Sequence, residues 1–269
     1  MPKRSDLFAG RWVFVTGASS GLGEAFARQL AARRAHLVVS ARRGDVLDRL
    51  AAELRGAHGV EVRVVPADLG VPGGAQRLAD EVQAIGLPIA HLVNNAGFGA
   101  ARRFADNEVD RLAEMVRLNC EAVTVLSRRF LPAMLERQSG GILHVASVAA
   151  FQPVPFMATY GATKAFVLSL SVALSEEVRG SGVRVMALCP GPVPTGFQAA
   201  AGISRPSAMQ RAALSADDAV KRALTAYEEG RDVCVPGAMN LLSAIGARLV
   251  PRSLATRAAG TMMRRAGRS

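Results

Sequence analysis

Residues 11–34 read RWVFVTGASSGLGEAFARQLAARR and set the class of fold. Arg11–Ala18 is apolar and β-branched, which is typical of a buried strand. Gly17–Gly23 follows with the spacing Gly-x-x-x-Gly-x-Gly, and Glu24–Arg34 then has the apolar spacing of a helix. Glycines let a backbone turn tightly and approach a pyrophosphate at the N-terminus of the following helix. The stretch predicts a phosphate-binding turn between strand and helix. An ordinary turn is the alternative.

Strands and helices alternate along the rest of the chain. The predicted strands are His36–Ala41, Val60–Ala67, Ile89–Val93, Ile142–Val145, Val183–Leu188 and Asp232–Val235. The predicted helices are Val46–Arg55, Gly73–Ile85, Asn107–Glu136 with a break near Pro132, a helix containing Tyr160, and one that begins at Ser215 with a capping-type acid at Asp218. This order predicts an α/β doubly wound Rossmann fold, with a seven-stranded, mostly parallel sheet flanked by helices on both faces. Residues 1–239 are assigned to a single domain of this type.

Composition excludes several classes of protein. The chain has 269 residues, half of them hydrophobic, which suits one large domain. No apolar run reaches about 18 residues, so no membrane-spanning helix is expected. Lys3 and Arg4 are not followed by an apolar stretch long enough for a signal peptide, so none is expected. The cysteines, Cys120, Cys189 and Cys234, are few and odd in number, which favours a reducing compartment and a cytoplasmic location. No cluster of cysteine and histidine has the spacing of metal ligands, so no metal site is expected.

The net charge of +11 raises nucleic acid or a membrane as partners. Arginine is used along the whole chain, however, and arginines interleaved with aromatic residues are missing. We therefore expect no nucleic-acid partner.

Two arginines follow the second predicted strand, where a dinucleotide fold meets the adenosine ribose. The sequence there is Ser40-Ala41-Arg42-Arg43, and the first acid is Asp45. Two guanidinium groups suit a 2′-phosphate, so the pattern favours NADP(H) over NAD. The alternative is a pair of solvated arginines that opens a helix.

Tyr160 and Lys164 are four residues apart, which places them on one face of a helix. Only Lys3, Lys164 and Lys221 of the 33 basic residues are lysines, and arginine does not replace the compact ammonium. A lysine about 4 Å from a phenolate stabilises it by roughly 4 kcal/mol, or about three pKa units. The pair is a candidate for acid–base catalysis. A surface tyrosine packed on a lysine stem is the alternative.

Taken together, these motifs show a resemblance that covers residues 11–235. They are Thr16-Gly17-x-x-x-Gly21-x-Gly23, Asn94-Asn95-Ala96-Gly97, Asn119, Ser147, Tyr160-x-x-x-Lys164 and Pro190-Gly191. In this order and spacing, they resemble the short-chain dehydrogenase/reductase family in its single-domain form. The resemblance implies that the protein is an NAD(P)-dependent enzyme that acts on CH–OH groups.

The resemblance also implies a role for each matching residue. Tyr160 is the general acid/base, Ser147 holds and polarises the substrate oxygen, and Asn119 anchors a water of a proton relay. Lys164 lowers the pKa of Tyr160 and bonds the nicotinamide ribose. The implied cofactor-binding residues are Gly17, Ser19, Ser20, Gly21, Leu22, Gly23, Arg42, Arg43, Asp68, Leu69, Asn95, Ala96, Gly97, Tyr160, Lys164, Pro190, Gly191, Val193 and Thr195. Pro194, just before Thr195, departs from the family pattern and is expected to alter the loop on the nicotinamide side.

The substrate side is predicted from two largely apolar stretches, Ala149–Met157 and Val193–Gln210. The candidate lining residues are Phe151, Val154, Phe156, Met157 and Phe197, with Arg205 or Arg211 for an acidic head group such as that of a thioester carrier. These residues predict a lipophilic ketone and its secondary alcohol, of 3-oxoacyl, polyketide-like or steroid-like type. Lid packing alone is the alternative role. A non-catalytic NADP(H)-binding sensor or scaffold is the alternative function, and the resemblance implies a homodimer or homotetramer.

Residues 240–269 form a predicted basic, amphipathic helical extension packed on the same domain. This segment has six arginines and no acids, and Pro251 is expected to divide it into two short helices. The favoured interpretation is a helix pair that caps the pocket or covers a neighbouring subunit. Contact with an anionic membrane surface, as in a membrane-associated lipid-carbonyl reductase, is the alternative.

Overall fold

The computed structural model describes residues 7–194 and 213–266. The strands are β1 (Trp12–Thr16), β2 (His36–Ser40), β3 (Val62–Val64), β4 (Ile89–Asn94), β5 (Gly140–Val145), β6 (Val183–Leu188) and β7 (Val233–Cys234). The helices are α1 (Gly21–Ala32), α2 (Gly44–His58), α3 (Gly74–Ala84), α4 (Val109–Val116), α5 (Ala122–Glu136), α6 (Ala158–Glu177), α7 (Ala216–Glu228), α8 (Ala238–Leu249) and α9 (Arg252–Ala266). Two 3-10 turns, Phe104–Asp106 and Val148–Phe151, and a π-helical turn, Arg117–Glu121, complete these elements.

The seven strands form one sheet in the order β3-β2-β1-β4-β5-β6-β7. Every pairing between neighbouring strands is parallel. The direction of winding reverses between β1 and β4, and ligands of such sheets bind where the strands at that reversal end. The predicted doubly wound fold is therefore confirmed, with a wholly parallel sheet.

Both faces of the sheet are buried, as the alternation of side chains along β1 shows. Val13 and Val15 lie in a core cluster with residues of α1, α2 and α7. Phe14 points to the opposite face, where it lies in a second cluster with residues of α3 and α5. There its ring meets that of Phe130 edge to face, with 5.6 Å between ring centroids. Helices on both faces follow from a strand that is apolar on both sides.

The long helix predicted over residues 107–136 is interrupted, but the predicted break near Pro132 is wrong. α5 continues through Pro132 to Glu136. Proline removes one backbone donor, so α5 lacks the hydrogen bond to the Arg128 carbonyl. Phe130 and Met134, on either side of Pro132, are buried in the core cluster on this face of the sheet, and this packing keeps the helix continuous. The interruption is the π-helical turn Arg117–Glu121, which joins α4 to α5.

Two helix boundaries follow from local sequence signals, a capping serine and a proline. The Ser215 hydroxyl accepts a hydrogen bond from the Asp218 amide at 3.0 Å, so the predicted N-terminal cap of α7 is confirmed. Pro251 separates α8 from α9, as predicted.

The C-terminal helices lie against the predicted substrate side. α8 contacts the Val148–Phe151 turn. A methyl group built on Gly191 would lie 2.4 Å from the Asn240 carboxamide, so the first turn of α8 sits directly on the loop after β6. A methyl group on Gly260 of α9 would lie 3.4 Å from Pro155. Among the helices of the described ranges, none combines the length and apolarity needed to cross a membrane.

Candidate active site

Tyr160 and Lys164 lie in the first two turns of α6, and both are buried. The Lys164 ammonium donates a hydrogen bond to the Val145 carbonyl at the end of β5, at 2.7 Å. Its nitrogen lies 5.9 Å from the centre of the Tyr160 ring. The helical spacing therefore brings the two side chains together, with the lysine fixed to the sheet.

Ser147 follows β5 in extended conformation and faces the tyrosine. Its hydroxyl accepts a hydrogen bond from the Ala149 amide at 3.1 Å, which caps the Val148–Phe151 turn. It also hydrogen-bonds the Tyr160 side chain, which by itself lowers the pKa of the phenol. A serine and a tyrosine held together in this way have two hydroxyls with which to bind one carbonyl oxygen.

Burial dominates the acid–base properties of Tyr160. Desolvation raises the pKa of the phenol to about 12 and outweighs the bond from Ser147. The pKa of Tyr160 therefore lies above its ordinary value, whereas the spacing to Lys164 alone predicted a pKa below it. Burial lowers the pKa of Lys164 itself to about 8. At neutral pH the phenol therefore keeps its proton and the lysine is mainly a cation.

Asn119 lies in the π-helical turn, and its carboxamide is held by protein groups. The oxygen accepts a hydrogen bond from the Phe98 amide at 3.2 Å. The nitrogen donates to the Phe98 carbonyl and to the Thr163 hydroxyl, both at 3.0 Å. The side chain thus ties the loop after β4 to α6, a role for Phe98 and Thr163 that no sequence motif indicated. The proton relay through Asn119 stays a prediction.

The glycine loop, residues 17–23 after β1, is held in place by the loop after β4. Gly17 has φ of +68°, a conformation that favours glycine. The Asn95 side chain donates to the Thr16 and Gly17 carbonyls, at 2.8 and 3.3 Å. The Thr16 hydroxyl accepts from the Asn95 and Ala96 amides, both at 3.1 Å. Asn95 was predicted to bind the cofactor, and the structure shows its side chain engaged in holding the loop.

The loop and the start of α1 fit a dinucleotide. A Cβ on Gly23 would lie 2.1 Å from the Gly17 carbonyl, so only glycine allows this close approach. Ser20, at the N-cap position, makes no side-chain cap hydrogen bond, which leaves the positive end of the helix to a phosphate group. A nicotinamide cofactor bound along the carboxyl ends of the strands would supply or accept a hydride.

Arg42 and Arg43 follow β2 and lie at the edge of the sheet where the parallel strands have their carboxyl ends. Arg43 donates to the Ser19 carbonyl and hydroxyl, each at 3.1 Å, and so sits on the glycine loop. The exposed Arg42 guanidinium lies 3.7 Å from the Glu114 carboxylate. Glu114 also accepts a hydrogen bond from Arg111 at 2.6 Å. No motif indicated Glu114 at this position, because Glu114 and Arg42 are far apart in the sequence and meet only in the folded chain.

The other predicted cofactor residues lie at the ends of neighbouring strands. The Asp68 carboxylate accepts the Gly70 amide at 2.8 Å, and the Pro190 carbonyl accepts the Val148 amide at 3.1 Å. A Cβ on Gly97 would lie 3.4 Å from the Lys164 nitrogen, so this glycine leaves room at the catalytic end. Leu69 and Val193 are buried. Thr195, Phe197, Arg205 and Arg211 fall outside the described residues.

Comparison with known proteins agrees with this geometry. Residues 11–205 match the family described as short chain dehydrogenase. The chain belongs to this family. It is therefore an NAD(P)-dependent oxidoreductase that acts on CH–OH groups, and the predicted enzyme class is confirmed.

Similar members of the family act on or bind a range of ligands. The chain is 36% identical over 204 residues to a very-long-chain 3-oxoacyl-CoA reductase of Anas platyrhynchos, a match that covers 74% of this chain and 64% of that protein. A short-chain dehydrogenase from Sphingobium yanoikuyae in complex with NADPH superposes with a TM-score of 0.80 at 33% identity, covering 89% of this chain and 94% of the other. The bulky-bulky ketone specific alcohol dehydrogenase from Comamonas testosteroni gives 0.76 at 29% identity, covering 89% and 92%.

Proposed function

We propose that this short-chain dehydrogenase reduces lipophilic ketones to secondary alcohols with NADPH, and that Tyr160 is the general acid. The observation that carries the proposal is the surroundings of the phenol. Tyr160 forms a buried cluster with Met115 and Met157, against which Phe98 and Val154 pack. A polar substrate would lose its hydration there without replacement hydrogen bonds, whereas an apolar one would be stabilised.

The loop over this cluster extends the apolar surface. Phe151 and Phe156 are half-buried in the segment between β5 and α6. Phe156 has φ of +68°, which is rare for an aromatic residue and directs the chain sharply at this point. The named substrates of two similar proteins, a very-long-chain 3-oxoacyl-CoA and bulky-bulky ketones, support a substrate with large apolar groups.

The preference for NADP(H) rests on charge at the end of β2. Arg42 and Arg43 both follow β2, where the adenosine ribose binds in this fold, and no acid lies between the end of β2 and Asp45. Guanidinium groups bind a phosphate through paired, charge-assisted hydrogen bonds. The similar structure from Sphingobium yanoikuyae, which holds NADPH, supports this choice.

Proton transfer follows from the two hydroxyls and the ammonium. Ser147 donates a hydrogen bond to the substrate oxygen, and Tyr160 gives that oxygen its proton as the carbonyl becomes an alcohol. The tyrosinate left behind is stabilised by the nearby Lys164 cation until it regains a proton. Because the phenol holds its proton at neutral pH, the resting site is set for reduction.

Binding and turnover test the proposal separately. Nicotinamide fluorescence should show tighter binding of NADPH than of NADH, and kcat/KM should rise with the chain length of a series of ketones. A preference for small polar ketones would contradict the substrate class, and equal binding of the two cofactors would contradict the role of the arginines. Tyr160→Phe should keep NADPH binding and lose turnover. A sensor or scaffold would show no turnover in the parent protein and no effect of this substitution.

A further inference from the structure

α8 presents its apolar side chains away from the protein. Met239, Leu242 and Ile245 recur every three residues on one face of the helix, and Met239 and Leu242 are 74% and 62% exposed. The face turned to the protein carries Asn240 and the buried Ala244. This is the reverse of a helix that packs its apolar face inward, where the large side chains are buried.

The apolar surface continues past the end of α8 and is joined by positive charge. Val250 and Leu254 are 42% and 53% exposed. Arg252, Arg257 and Arg264 of α9 are exposed as well. The sequence has no acidic residue after Asp232, so nothing from this segment offsets these charges. We call the exposed apolar residues of α8, with Val250, Leu254 and these three arginines, the C-terminal surface.

A second copy of the chain is a poor partner for this surface. A two-fold contact would place the surface against itself and bring the arginines of both copies together without a carboxylate from either segment. An interface between phospholipid head groups and acyl chains offers apolar depth and negative charge at once, which is what a helix with exposed leucine, isoleucine and arginine binds. We propose that the C-terminal surface docks on an anionic phospholipid membrane.

Docking there would set the candidate site close to the lipid. α8 contacts the Val148–Phe151 turn, and Gly260 of α9 lies against Pro155 in the same segment. If the proposed function is correct, a lipophilic ketone would pass from the bilayer to the apolar cluster without crossing bulk water. The docking itself depends only on the C-terminal surface.

Co-sedimentation of the full chain with vesicles tests the proposal. The protein should pellet with vesicles of phosphatidylcholine that contain phosphatidylglycerol, not with phosphatidylcholine alone, and salt should weaken binding. Arg252→Gln with Arg257→Gln should weaken it by about fivefold for each charge removed. Leu242→Ser with Ile245→Ser should weaken it by at least about tenfold. Arg49→Gln on α2 and Val109→Ser on α4, both exposed, are the matched controls and should change nothing.

Two results would overturn the docking proposal. One is the absence of pelleting with either vesicle, and the other is pelleting that the four substitutions in the C-terminal surface do not weaken. Light scattering tests the alternative partner, a second copy of the chain. If the parent protein does not bind vesicles and the Leu242→Ser, Ile245→Ser protein has a lower oligomeric state, the C-terminal surface contacts a second copy. NADPH affinity, measured on every variant, shows that the site has folded and keeps this test separate from that of the reductase function.

Discussion

The cofactor half of the site and its substrate half are built by different means. The cofactor half is the glycine loop with the ends of β2 and β4, where backbone atoms meet at distances that exclude a side chain. There a Cβ on Gly23 would lie 2.1 Å from the Gly17 carbonyl. The substrate half is the segment between β5 and α6 with α8 and α9. There a Cβ on Gly260 would lie an ordinary 3.4 Å from Pro155.

This difference explains which half tolerates change. A backbone contact at short range permits one residue type, and the glycines can be recognised in a sequence. An apolar surface built from side chains permits many combinations of similar volume. We therefore expect substitutions in the cofactor half to act steeply and those in the substrate half to act gradually.

Gly23→Ala should give the largest effect, because its methyl group has no space beside the Gly17 carbonyl. The loop and α1 must separate, and we expect NADPH binding to fall by more than about a hundredfold in a fluorescence titration. The control is Gly56→Ala in α2, where the added methyl group would meet nothing within 4 Å. That protein should bind NADPH normally and be about 0.4–1 kcal/mol more stable to urea. Normal binding by the Gly23→Ala protein would remove the distinction between the halves.

Lys164 lies where the cofactor half and the substrate half meet, and the pH dependence of catalysis tests the role of its charge. Burial lowers the pKa of Lys164 to about 8, so its cation is present below that pH and lost above it. In the ketone reduction, kcat/KM for NADPH should fall as pH rises through about 8, by about tenfold per unit beyond it. Alcohol oxidation should rise with pH instead, because it needs the Tyr160 phenolate and burial raises that pKa to about 12.

Lys164→Arg provides the control, since arginine keeps its charge throughout this range. The falling limb should disappear from whatever reductase activity remains. A parent profile that stays flat through about pH 8 would show that the Lys164 charge does not govern the step.

Glu114→Gln should act within the cofactor half but more weakly, because it changes charge and not space. The Glu114 carboxylate lies 3.7 Å from Arg42 and so competes with a 2′-phosphate for that guanidinium. Its removal should tighten NADPH binding by about fivefold, a gain on the order of 1 kcal/mol, and leave NADH binding unchanged. Glu121→Gln, at an exposed position in the adjoining π-helical turn, is the matched control. Weaker NADPH binding by the Glu114→Gln protein would mean that Glu114 orients Arg42.

The order of strands and helices and the residues at strand ends were predictable, because they depend on local patterns. Apolar periodicity identified the seven strands, and the glycines identified the turn after β1. The helical spacing of Tyr160 and Lys164 sufficed to bring them together, and Ser147 follows β5 as the strand prediction required.

What could not be predicted depends on residues distant in sequence. The pKa of Tyr160 is raised because Met115 and Met157 bury it, and neither position is marked by a motif. The path of α5 through Pro132 is decided by packing of that helix on the sheet, which overrides a local preference. Glu114 meets Arg42 only because the fold brings α4 close to the residues that follow β2.

Phe156→Asn should give the smallest effect and tests the substrate half alone. Phenylalanine rarely adopts a φ of +68°, whereas asparagine tolerates it, so the loop should keep its path. A half-buried ring contributes a fraction of the roughly 2 kcal/mol of a buried one, so KM for long-chain ketones should rise about threefold. NADPH affinity and KM for a small ketone should not change. Phe104→Asn, at a position 65% exposed, is the control. An equal rise of KM for short and long ketones would mean that Phe156 shapes the loop and does not line the pocket. The substrate half would then depend on backbone geometry as strictly as the cofactor half does.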